Sequence, residues 1–375
     1  MRLSRTGLET TKLSTYAVRM VVDNFDPTPA ERTTIADVAR RVGVSVPTVS
    51  KVINGRPDVS DKTRRRVEEA IAAIGYRRTP RSTGRADLLE VVFHELESEW
   101  ALQIVMGVEQ AAREHHMAVV ITEMHGRRTP GPEWIEGVLA RRPLGLVVVF
   151  SNLSDKMRAQ LHRSGIPFVA VDPTGEPVHD TPSVGATNWS GGVAAARHLI
   201  GLGHTRIGVI TGPREILCSR ARLDGFRAAM DAAGIAVDPE LVRHGDFHVG
   251  SGDRLARAML RLPNPPTAIV AGNDLMALGV YQAARAAHLR IPEQLSVVGF
   301  DDLPVASWVS PPLTTVRQPL AEMAGTATRL VIELARGGQP AQTRFELSTE
   351  LVVRESAARP APVSSGSASP ASVSA

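Results

Sequence analysis

The most regular pattern of apolar and polar positions lies in residues 34–60, TIADVARRVGVSVPTVSKVINGRPDVS. Ile35, Val38, Ala39 and Val42 recur at i, i+3, i+4 and i+7, which places one apolar stripe on a short helix. Thr34 and Asp37 have the spacing of a capping box, and Gly43 is the residue expected where the chain must turn through positive φ. Ser45 is placed to cap a second helix with Pro47 in its first turn. Val49, Val52 and Ile53 form the inward stripe of that helix, leaving Val46, Pro47, Thr48, Ser50 and Lys51 outward or on its flank. A third helix is predicted from about Asp61 to Ile74, capped by Ser60, with Val67, Ile71 and Ile74 on its core face.

From Leu88 the period changes. Short apolar runs (LLEVVF, MAVVIT, GLVVVF, PFVAVD) alternate with helical stretches to about residue 172, and the alternation resumes with RIGVIT, AIVAG and LSVVGF. Strands buried on both faces and separated by helices predict two parallel α/β layers. Residues 77–87, RRTPRSTGRAD, hold four arginines, a proline and a glycine, the composition of a flexible basic linker. Residues 1–31 match no pattern beyond a breaker cluster at DPTPA and are expected to be a poorly ordered extension. The Ser/Ala/Pro-rich end, 358–375, is expected to be a disordered tail.

Charge sharpens the picture of the first segment. Residues 32–87 carry 13 Lys+Arg against 6 Asp+Glu, a net of +7, leaving −3 on the rest of a chain whose total is +4. Two helices joined by a tight turn, with polar and basic residues outward, have the geometry that enters a DNA major groove, and phosphates attract such a charge. An ordinary helical hairpin shares the periodicity but gives no reason for the charge. Composition excludes other classes. No apolar run reaches the ~18–20 residues of a membrane span, the N-terminus lacks a signal-peptide core, and one cysteine, Cys218, permits no disulfide framework. These absences point to the cytoplasm. No Walker, HExxH or GxSxG motif is present, so no reaction, cofactor or metal is expected. GLGHTR at 201–206 has only two glycines of a dinucleotide fingerprint, and it precedes a strand instead of following one.

The stretches TIADVA, GVS, TVS and VING resemble the DNA-binding head of the LacI/GalR family of bacterial regulators. The resemblance implies a small all-α helix-turn-helix domain at 32–76, then an α/β periplasmic-binding-protein-like domain of two parallel-sheet subdomains at 88–357. Subdomain one would comprise about 88–187 and 320–346, and subdomain two about 188–318 and 347–357. It also implies a homodimer on a pseudo-palindromic operator. Thr34, Ser45, Val46, Pro47, Thr48, Ser50, Lys51 and Asn54 are then the DNA-binding candidates, with Lys51, Val46, Pro47 and Thr48 toward base edges and the serines toward caps and phosphates. Family members usually have a longer linker whose leucine wedges into the minor groove; that leucine is missing here.

Sheets of this kind present polar groups in the loops at the carboxyl ends of their strands. Arg222, Asn273 and Asp301 fall in such loops or just beyond them and match effector-contacting positions of the family. Asn273 alone would also serve as a helix cap, and Arg222 alone would also pair with Asp224. Trp100 and Phe247 match aromatic positions facing the effector, and Asn188, beside Trp189 near the first crossover, would bind ligand or fix the hinge. Forked polar side chains and aromatic faces suit a mono- or disaccharide. The wording ESEW and CSRAR resembles relatives that respond to plant-derived sugars such as xylose, xylobiose or cellobiose. The expected function is sugar-controlled repression. The alternatives are activation or co-repression by another metabolite within the same family and, outside it, a solute-binding protein.

Overall fold

The computed structural model describes residues 35–53, 56, 58–73, 86–96, 98–126, 129–149, 153–172 and 181–361. The expectations for residues 1–31, for nearly all of the linker and for 362–375 lie outside them, as do Thr34 and Asn54. The chain forms two compact units, one ending at Arg81 and the other starting at Ser82.

Among its described residues the first unit contains three helices, α1 (Ile35–Val42), α2 (Val46–Ile53) and α3 (Asp61–Ala73). Val38, Ala39, Val42, Val49, Val52, Val67 and Ala70 meet in one small core. Gly43 makes the turn at φ 68°. Ser45 Oγ accepts from the Thr48 amide at 3.4 Å, and Ser60 Oγ accepts from the Thr63 amide at 3.3 Å, so both serines cap as expected. Arg66 donates to the Val42 carbonyl at 2.8 Å, tying α3 to the end of α1. On α3 the buried stripe runs through Val67 and Ala70, with Ile71 only partly buried; Ile74 lies outside the described residues.

The second unit has two lobes. The first is built from β1 (Ala86–Phe93), α4 (Glu99–Glu114), β2 (Ala118–Glu123), α5 (Pro132–Arg141), β3 (Pro143–Val149), α6 (Asp155–Arg163), β4 (Phe168–Val171) and β5 (Ser183–Ala186). The chain then enters the second lobe with α7 (Asn188–Gly201), β6 (Ile207–Thr211), α8 (Leu217–Ala232), β7 (Val242–His244), α9 (Val249–Leu260), β8 (Ala268–Ala271), α10 (Asp274–Ala286), β9 (Ser296–Asp301), α11 (Val305–Trp308) and β10 (Thr314–Arg317). It returns to the first lobe for α12 (Leu320–Ala335) and β11 (Arg344–Leu347), and ends in the second with β12 (Glu350–Val352). The six-stranded sheets have the orders β11-β5-β4-β3-β1-β2 and β12-β10-β9-β8-β6-β7. Among the described residues every pairing is parallel except β10 with β12.

Three strands cross between the lobes, at about residues 187, 318 and 348. Two are stitched side by side: the Thr349 amide donates to Thr187 Oγ1 at 2.9 Å, and the Thr187 amide donates to the Leu347 carbonyl at 2.9 Å. The third is held to β9 by Gln318, whose Nε2 donates to Asp301 Oδ1 at 2.6 Å.

Two expected bounds need correction, and one expected strand carries a buried charge. Pairing in the first sheet begins at Ala86, so the last two residues assigned to the linker are strand. The run LLEVVF contains a fully buried charge, Glu90, matched by a forked pair with Arg141 (2.8 Å) and by Thr122 and Trp134. The tail does not begin at 358. Ala358 is clamped by Ser296, whose Oγ accepts from its amide at 3.0 Å, and its carbonyl lies 2.9 Å from His204 Nε2. The GLGHTR histidine is thus a buried strut that also reaches Thr267 at 2.8 Å.

Candidate functional site

The carboxyl ends of β1, β6, β8 and β9 converge on a cavity between the lobes, whose empty space of about 780 Å³ includes the open solvent at its mouth; clefts between lobes are a common place for small-molecule sites. Trp100, Arg222, Phe247, Asn273 and Asp301 all line it. Asn188 does not. It lies behind Arg222, accepting from Nε at 2.8 Å and donating to the Ala186 carbonyl at 3.0 Å, so it braces the crossover at 187.

Arg222 is buried on the face of α8 toward α7. The two helices approach so closely that a Cβ at Gly192 would collide with the Arg222 carbonyl, and one at Gly225 with the Trp189 carbonyl. The guanidinium donates from Nη1 to the Gly272 carbonyl at 2.6 Å and stacks on Phe300 with its carbon 3.7 Å from the ring centre. Its Nη1 lies 3.7 Å from Asp301 Oδ1. Pairing with Asp224 does not occur; Asp224 is exposed and meets Arg227 instead. Arg222 is therefore both structural and a lining group, with bonds from Nε and Nη1 made internally.

Asn273 also fills two roles. Its Oδ1 caps α10 by accepting from the Met276 amide at 2.9 Å, and its Nδ2 donates to the Phe247 carbonyl at 3.0 Å. That second bond holds Phe247 at φ 73°, a conformation costing on the order of 1–3 kcal/mol. The ring lies against Gly212, where a Cβ would collide with it. Asp301 is likewise held at φ 113° at the end of β9. Burial pushes the Asp301 carboxyl up to about 7, against the opposing pull of Arg222 and Gln318.

Several lining groups were not anticipated from sequence. His94 and Glu95 follow β1, and Asp246 and His248 precede α9. Glu95 reaches His248 Nε2 at 3.5 Å, joining the two lobes at the mouth. Asp172 lies behind the cavity at the end of β4; burial pushes its carboxyl up to about 6, opposed by Arg222. Asp274 and Asp302, near the chosen positions, are structural: Asp274 accepts from Thr315 and the Leu303 amide, and Asp302 binds Arg317 and Arg354.

In the first unit, Ser45, Val46, Pro47 and Lys51 are exposed, and Thr48 and Ser50 partly so. Lys51 Nζ sits 2.7 Å from Asp58 Oδ2, and this contact lowers the Asp58 carboxyl.

The two units correspond to a DNA-binding head and a ligand-binding domain of a regulator. Residues 34–79 match the bacterial regulatory proteins of the lacI family, and 196–357 match the periplasmic binding protein-like domain. The HTH-type transcriptional regulator MalR of Streptomyces coelicolor is 35% identical over 338 residues, covering 87% of this chain and 97% of the relative. The chain belongs to the LacI family and is a DNA-binding transcriptional regulator, not an enzyme. Its fold resembles that of the CelR–cellobiose complex, at 33% identity and TM-score 0.66, over 87% of this chain and all of the other. It also resembles the lac repressor dimer bound to operator and the anti-inducer ONPF, at 30% identity and TM-score 0.68, over 88% of this chain and all of the other.

Proposed function

We propose that this regulator is a repressor whose operator affinity is controlled by a neutral mono- or disaccharide bound between the lobes. The observation that carries the reading is the pairing of two aromatic side chains, Trp100 and Phe247, with the polar fork of Arg222, Asn273 and Asp301 around one cavity. Aromatic faces cover the apolar side of a pyranose, while forked donors and carboxylates suit neighbouring hydroxyls. The relatives named for or solved with a sugar support the same class.

Operator recognition is assigned to α2, with Val46, Pro47, Thr48 and Lys51 toward base edges and Ser45 and Ser50 toward phosphates. Two copies acting together on a pseudo-palindrome complete the reading. Leu102 and Met106 on one face of α4, and Ile121 on the edge strand β2, are large apolar side chains left exposed where a second copy would cover them.

A thermal-shift screen of mono- and disaccharides tests the ligand class. A sugar at 100 times its Kd adds about 2.7 kcal/mol, roughly 5–10 °C in Tm for a domain of this size. Sugar that loosens operator binding supports repression with induction. Sugar that tightens it makes the protein a co-repressed regulator.

A further inference from the structure

Outside the cleft, the second lobe carries two adjoining hollows, open to solvent, that share Arg214, Arg227 and His244. Arg220 and Ser219 line the second hollow, and neither hollow includes a residue of the cleft cavity. They open at the carboxyl ends of β6 and β7, where a parallel sheet presents ligand-binding groups.

Their electrostatics are one-sided. The lining carboxylate is Asp224, which meets Arg227 at 3.4 Å in an exposed pair of little strength. Among the described residues, Arg214 and Arg220 make no ion pair. Two buried polar atoms in the same place lack partners among the described residues: Ser219 Oγ, on a side chain 2% exposed, and His244 Nδ1. A buried hydroxyl and a buried ring nitrogen without partners are costly unless something else meets them. Burial and the neighbouring Arg214 hold the imidazole below its usual range, opposed by the Gly212 carbonyl and reinforced by Arg227. Ser219 also lies in the first turn of the 16-residue α8, whose cap residue Ile216 provides no side-chain hydrogen bond.

We infer that this flank is a second ligand site, separate from the sugar cleft, for a small phosphate monoester. Arginine forks match phosphate oxygens, and the Ser219 hydroxyl and His244 ring nitrogen would gain their missing partners. Val237, Pro239 and Val242 form an apolar wall beside the arginines, suited to a compact organic body.

The test is calorimetric titration of the full chain with a hexose 6-phosphate, the corresponding free hexose and inorganic phosphate, at fixed ionic strength. Wild type is compared with Arg214→Ala/Arg227→Ala, with the matching double lysine variant, and with Ser219→Ala. These arginines are exposed, so the variants are expected to fold, which melting curves verify. Saturable binding of the hexose phosphate is expected, with inorganic phosphate competing for it. Affinity should fall about 10- to 100-fold in the double alanine variant and less in the lysine variant. Ser219→Ala should weaken it a few-fold, and cleft-sugar binding should be unchanged in all three. Equal affinity in wild type and the double alanine variant would overturn the inference, because the basic head would then be the binder. Absence of binding, or equal binding of the free hexose, would overturn it as well.

Discussion

Replacing Arg222 by alanine should destabilise the ligand-binding unit before it affects any ligand. The side chain makes hydrogen bonds of 2.8 and 2.6 Å to Asn188 and Gly272 and stacks on Phe300. It also lowers two buried carboxylates, Asp301 and Asp172, that burial has pushed up to about 7 and about 6. Removing one member of a buried charge cluster typically costs 3–5 kcal/mol. At roughly 2–4 °C per kcal/mol, Tm should fall by roughly 6–20 °C. The pH dependence is the sharper signature. Because both folded-state values lie above the 3.8 of an ordinary aspartate, the folded protein holds protons that the unfolded chain has released between about pH 4 and 7. Stability therefore falls as pH rises through that window. Without Arg222 both carboxyls move further up and the fall steepens; the lost bonds to Asn188 and Gly272 cost stability at every pH, so the deficit is smaller near pH 5 and largest above pH 7. Arg222→Lys, which keeps the charge but loses the fork, should lie between the two. Urea melts at pH 5 and pH 8 measure this. A deficit below about 1 kcal/mol, or one equal at both pH values, would refute the role given to Arg222.

The remaining expectations are more local. Gly225→Ala should cost roughly 1–3 kcal/mol or more by forcing α7 from α8, and should weaken sugar binding through the displaced Arg222 backbone, both readable by melting and calorimetry. His204→Ala removes the strut under Ala358 and leaves Ser296 and Thr267 short of a partner, costing about 1–3 kcal/mol; hydrogen exchange should rise selectively at 356–358. Lys51→Ala should cost roughly 1–3 kcal/mol on operator DNA and much less on random DNA. Since Lys51 must first leave Asp58, Asp58→Asn should tighten operator binding, and competition binding against random DNA tests both.

Much of the fold was legible in sequence because its strands are buried on both faces and its head is marked by caps. The seven apolar runs became β1, β2, β3, β4, β6, β8 and β9. The strands without such a run, β5, β7, β10, β11 and β12, are three or four residues long, and β7, β11 and β12 are edge or terminal strands with partly exposed faces. The cavity was half legible. Five chosen residues line it, yet their internal bonds were hidden, since the partner of Arg222 stands 34 positions earlier and that of Asn273 26 positions earlier. Asn273 shows that a cap and a lining residue need not be rival readings. Glu95 and His248 were missed because only tertiary structure brings the ends of β1 and β7 together.

The central claim, a sugar in the cleft controlling the grip on DNA, is tested most directly by one paired titration. An operator selected from random DNA is bound to the wild-type chain and followed by fluorescence anisotropy while cellobiose, maltose and xylobiose are added. The same titration is run on Phe247→Ala, whose fold is verified by melting. One of the sugars should release wild-type complexes saturably, and the variant, with unchanged sugar-free operator affinity, should need about 10-fold more sugar or more. Release that is equally sensitive in the variant, or no response to any sugar by a protein that binds its operator, would contradict the account.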